Sequence, residues 1–88
     1  MRRNSEFLMR QVADTTVVVP VGAATFHFHG MLTLNSTGAF LWEQLETEQT
    51  VESLTAALLS EYQVTEETAR KDVERFLEKM LPTGAILE

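Results

Sequence analysis

Apolar residues recur along this chain with two different periods, and the change between them separates a strand-forming part from a helical part. Phe7 to Val12 and Thr15 to Val19 are rich in apolar and β-branched residues, with Ala13-Asp14 between them as a short reversal. The pair predicts an antiparallel hairpin, ended by Pro20, which has no N–H to give to a ladder. After Val21-Gly22, the stretch Ala24 to Leu34 sets Phe26, Phe28 and Met31 against Thr25, His27 and His29. That alternation predicts a third strand, interrupted at Gly30.

Beyond Leu34 the period lengthens to that of a helix. Asn35 or Ser36 can cap it by accepting a backbone N–H, and Gly38, Leu41, Trp42 and Leu45 then share one face. Thr50 is the next capping candidate, with Val51, Leu54, Leu58 and Tyr62 at helical spacing behind it. Thr65 caps a third helix, whose Glu66 and Glu67 suit a positive N-terminal end and whose apolar face is Ala69, Val73, Phe76, Leu77 and Met80. Pro82 and Gly84 stop it, leaving Ala85-Ile86-Leu87 as a last short strand or as a segment packed against the body. The helices are expected at 35–46, 50–62 and 65–81. Three N-terminal antiparallel strands followed by three helices make an α+β domain with a winged helix-turn-helix-like order.

Composition narrows the class. The 88 residues contain no Gly/Ser-rich or Pro-rich divider, so residues 1–88 read as one domain. Hydrophobic residues at 44% and charged residues at 23% suffice for a core that packs without help. The absence of cysteine removes disulfides, thiolate metal sites and a Cys nucleophile. Only Phe7-Leu8-Met9 separates the opening arginines from Arg10, too short for a signal peptide's apolar region, and no stretch is long enough to span a membrane. A cytoplasmic protein without a membrane partner is the expectation.

The net charge of −6 is unevenly spread. Arg2, Arg3 and Arg10 stand near the start and Arg70, Lys71, Arg75 and Lys79 near the end, while Thr15 to Trp42 holds no Asp, Glu, Lys or Arg. That segment therefore belongs against something else. His27 and His29, two apart, share a face if they lie on a strand, but two imidazoles without a third ligand make a poor metal site, so no metal is expected. There is no Gly-rich phosphate loop and no recognisable Ser–His–acid spacing, and Glu43, Glu46 and Glu48 read as a solvated helix end. The chain is expected to be neither an enzyme nor a cofactor carrier.

The stretches "LNSTGAFLWEQLE", Thr50-Val51, "EYQVTEETARKDVERFLEKM" and the closing "GAIL" resemble the PqqD-like family of RiPP recognition elements, small proteins of which PqqD serves pyrroloquinoline quinone biosynthesis. The likeness runs from Val17 to Leu87 through Pro20, Leu34-Asn35, Gly38, Trp42, Leu58, Tyr62, Val64, Asp72-Val73, Phe76-Leu77 and Gly84. It implies a winged-helix-like domain that binds peptide. The leader of a ribosomally made precursor adds as a strand beside the third helix and is presented to a modifying enzyme, commonly a radical S-adenosylmethionine enzyme. Carried over to this chain, the receiving strand is Met31, Leu32, Thr33 and Leu34, and the opposing wall is Asp72, Val73, Arg75, Phe76, Lys79 and Met80. Two departures concern loops: Glu46-Thr47-Glu48-Gln49 lacks a glycine common in the family, and Pro82-Thr83 replaces a charged pair before Gly84.

The residues themselves point the same way. A strand from Gly30 to Leu34 carries no charge and no proline, so it lacks the usual protection of a sheet edge and invites another strand, from a peptide or from a second copy of the chain. Lys71, Arg75 and Lys79, spaced by four, form a basic stripe suited to acidic side chains, although Glu67 four residues before Lys71 also fits an ordinary solvated helix face. Phe76 and Met80 equally fit a core, and Trp42 fits only a core. The rival reading, a DNA-binding winged helix with residues 65–80 as recognition helix, meets an adverse charge: Glu66 to Lys79 holds four cations and five anions, a net of −1.

Overall fold

The structure, a computed structural model, describes residues 1–88. In chain order the elements are β1 (Arg2–Arg3), β2 (Phe7–Val12), β3 (Thr15–Pro20), β4 (Leu32–Leu34), α1 (Ser36–Gln44), α2 (Val51–Glu61), α3 (Glu66–Met80) and β5 (Ile86–Leu87). Short 3₁₀ turns lie at Gly22–Phe26 and Leu81–Thr83. No helix is long and apolar enough to cross a membrane.

β2, β3 and β4 form an antiparallel sheet in that order, with Val12 opposite Thr15, Thr16 opposite Leu34 and Val17 opposite Thr33. Its period of two puts Phe7, Val18 and Leu34 into the core, while Leu8 and Val12 stay exposed on the other face. The hairpin closes through Ala13-Asp14, with Ala13 at φ 55°, a left-handed conformation for which glycine is the usual choice.

The helices begin where their capping residues stand. Asn35 Oδ1 accepts from the Gly38 N–H at 2.8 Å, and Thr65 Oγ1 accepts from the Thr68 N–H at 3.1 Å. Thr50 and Ser53 cap each other reciprocally at 2.8 and 3.0 Å. Behind the sheet, Leu41 and Trp42 of α1 and Leu45 just after it meet Leu54 and Leu58 of α2 and Ala69, Val73, Leu77 and Met80 of α3 in one apolar cluster. Burial of each large side chain there contributes about 1.5–3 kcal/mol. The Arg3 guanidinium lies 5.9 Å from the Trp42 ring centroid and donates to the Trp42 carbonyl at 3.3 Å, which holds the N-terminal segment over α1. The closing segment is indeed a strand: β5 pairs with β1, and Asn4 ties the same corner by donating to the carbonyls of Ala85 and Gly84 at 2.8 and 3.0 Å.

The third strand is much shorter than the alternation of Phe26 and Phe28 predicts. Glu6 captures the chain just after β3: its carbonyl accepts from Val21 N–H and its carboxylate from Ala23 N–H, both at 2.8 Å. Gly22, at φ +59°, turns there, and an added Cβ would stand 3.0 Å from that carboxylate. The Ala24 carbonyl then accepts from both His27 and Phe28 N–H at 3.0 Å, which coils the segment instead of extending it. Phe26 is left 80% exposed, whereas Phe28 packs on Phe7 with ring centroids 6.1 Å apart. His27 and His29 lie outside any strand, so the shared face that a strand would give them does not exist.

Candidate functional site

β4 runs directly into the α1 cap, and α3 passes along its outer side. Between them lies a cleft of about 180 Å³ lined by Thr33 and Leu34 of β4, Asn35, Thr37, Gly38 and Leu41 at the start of α1, and Asp72, Arg75, Phe76 and Lys79 of α3. Gly38 lets the first turn of α1 approach β4 closely, since a Cβ there would meet Asn35 Oδ1 at 3.3 Å and Leu34 Cδ2 at 3.4 Å. The volume is below the roughly 300–1,000 Å³ of sites that enclose a small-molecule ligand or cofactor, and suits one or two side chains of a longer ligand.

The register fixes which backbone groups face this cleft. A two-residue hairpin loop makes Val12–Thr15 a hydrogen-bonded pair, and alternation along β3 then turns Thr16 and Val18 toward β4. Their partners Leu34 and Leu32 are therefore bonded inward, and Thr33 presents its N–H and C=O to the outside. A contact from α3 agrees: Lys79 Nζ donates to the Thr33 carbonyl across the cleft. Arg75, one turn earlier, is exposed and makes no ion pair, and Asp72 lies half-buried a turn before it. The cleft thus has an apolar floor of Leu34, Leu41 and Phe76, two cations and one anion along its wall, and a single outward backbone pair on the opposite side.

The structure brings together Thr33, Leu34, Asp72, Arg75, Phe76 and Lys79 of the expected site. Four others lie elsewhere. Val73 and Met80 are fully buried in the core cluster, because α3 turns them about 100° away from Asp72 and Lys79. Leu32 packs its side chain on the core from the same face as Leu34, and Met31 is 57% exposed just before β4. Lys71 of the supposed basic stripe pairs with Glu67 at 3.2 Å and does not line the cleft. Asn35, Thr37, Gly38 and Leu41 were not anticipated; the signal for them is that a helix capped immediately after an edge strand must present its first turn beside that edge.

A three-stranded antiparallel sheet packed on three helices, with an edge strand opposite the last helix, defines a small winged-helix-like α+β domain. The sequence matches the family described as coenzyme PQQ synthesis protein D (PqqD) over residues 16–86, and the chain belongs to that family. No curated protein matches it. Among solved structures it is similar to one described as TbiB1 in complex with the TbiA(beta) leader peptide, with a TM-score of 0.74 and 20% identity over 98% of this chain and 94% of that one. A second, described as lasso peptide synthetase B1 complexed with the leader peptide, gives 0.72 and 21% over 99% and 96%. At such identities the likeness is one of fold.

Proposed function

We propose that this chain is a non-catalytic leader-peptide-binding protein, which takes a segment of a ribosomally made precursor into the β4–α3 cleft by strand addition and presents it to a modifying enzyme. The radical S-adenosylmethionine class is the partner that the family resemblance favours. The observation that carries the reading is Thr33, whose outward N–H and C=O face α3 across a cleft sized for side chains. The two similar folds, each described with a leader peptide, support it. The net charge of −1 over Glu66 to Lys79 weighs against duplex DNA as the ligand, since phosphate contact calls for surplus cations.

The test is a calorimetric titration with leader segments encoded beside this chain's reading frame, with NMR mapping of the shifts. One of them is expected to bind with a Kd of about 1 μM and to perturb β4 and α3. An acidic leader should lose roughly fivefold with Arg75→Glu, which faces the cleft and leaves the core untouched. Shifts confined to α2, or no heat at 100 μM peptide, would sink the proposal.

A further inference from the structure

Strand addition meets an obstacle already in place, the Lys79 ammonium on the one outward-facing carbonyl of β4. Neighbouring strands lie about 4.8 Å apart. An ammonium within hydrogen-bond reach of the Thr33 oxygen stands inside that gap, where the backbone of an added strand would run. The second lone pair of the carbonyl does not remove the conflict, because the obstruction is the volume of the amine. A strand therefore enters only as Lys79 leaves.

Leaving has a chemical bias. Lys79, exposed, exchanges its acceptor for water, and inside the cleft its own chain offers no carboxylate within reach: Arg75 has the same sign, and Asp72 lies two turns away along α3 and forms no ion pair with Lys79. A carboxylate carried by the incoming peptide supplies the missing acceptor, with Arg75 one turn further on as a second cation. A glutamine at the same place supplies a neutral acceptor only, and so compensates less.

We propose that Lys79 is a specificity-determining latch, closing the β4 edge in the free protein and yielding to an extended peptide that carries a carboxylate beside the residue paired with Thr33. The proposal rests on the strand-addition reading and adds which peptides open the edge: acidic ones.

The free protein offers the first readout. Lys79→Met, and Lys79→Gln as a second variant, keep a helix-forming residue at an exposed position and are expected to stay folded by circular dichroism. In both, the carbonyl-carbon resonance of Thr33 should move, and an unmoved resonance would overturn the latch. The second readout pans a library of blocked heptapeptides, varied among Glu, Gln, Lys, Leu, Val and Thr, on the parent, both Lys79 variants and Lys71→Met as a control. The parent and Lys71→Met should favour Glu over Gln about fivefold at one position. The Lys79 variants should lose that preference and bind the Gln peptides more tightly than the parent does. An unchanged Glu preference in the Lys79 variants overturns the latch and leaves strand addition standing. If no library peptide binds any of the proteins, both readings fall together.

Discussion

The two outer strands of the sheet are exposed to the same hazard and are guarded differently. β2 is six residues long and, by the register, turns the backbone of Met9 and Gln11 outward; β4 is three residues long and turns out only Thr33. β2 carries its own guard, the exposed Arg10 in mid-strand, and none of its residues lines the cleft. β4 has no charge of its own and borrows one from α3, as Lys79. A charge within a strand is permanent, whereas a charge reaching over from a neighbouring helix can be moved aside. On the strand-addition proposal the shorter edge is the usable one, which edge length alone would not have indicated.

The difference depends on the core that fixes α3 beside β4, so the largest effect is expected from breaking that core. Trp42→Ala should cost about 3–5 kcal/mol in urea unfolding, as for any fully buried large aromatic; a loss below about 1 kcal/mol would mean that α1 does not anchor the sheet as described. Next comes a pair of prolines. Thr33→Pro removes the outward N–H at β4 and should weaken leader binding tenfold or more, about 1.4 kcal/mol. Gln11→Pro removes an equivalent outward N–H at β2 and should change binding by less than about twofold. Equal losses from both would show that the edges do not differ in use. The smallest effect belongs to the connection between β3 and β4: Phe26→Ser should shift stability by less than about 0.5 kcal/mol, because the ring packs on nothing that burial would reward. A loss of 2 kcal/mol would restore Phe26 to a packed strand.

The helical half was legible because its signals are local. Asn35, Thr50 and Thr65 bond N–H groups three residues ahead, and the apolar period that follows each cap is long enough to be unambiguous. The segment from Gly22 to Met31 was not legible, because its course is set by Glu6, whose carboxylate holds an N–H 17 residues further along the chain. Alternating phenylalanines there mimicked a strand. β5 was foreseen only as an alternative, and β1 not at all, since two-residue strands carry no period and pair across the length of the chain. In the site, the β4–α3 juxtaposition came from the family resemblance and from the uncharged edge. What the pattern missed was rotation about α3: Val73 and Met80 belong to the same apolar stripe as Phe76, and about 40–60° of rotation decides that Phe76, at the edge of the core, also borders the cleft while they face only inward. The Lys79–Thr33 contact spans 46 residues and leaves no trace in any local signal.

One outward residue on β4 also sets a time scale. On the proposed binding mode, a seam of that length would give an incoming strand a single pair of backbone hydrogen bonds, each contributing about 0.5–1.5 kcal/mol net, and so would align the peptide more than retain it. With a Kd near 1 μM and association at about 10⁶ M⁻¹s⁻¹, the complex would turn over roughly once per second. Such a grip would suit the proposed carrier, which must let go: the peptide would stay long enough for a second protein to engage it and would depart without a dedicated release step. Lengthening β4 by even one outward pair, two more bonds, would slow departure by roughly 5- to 150-fold, and so turn a relay into a store.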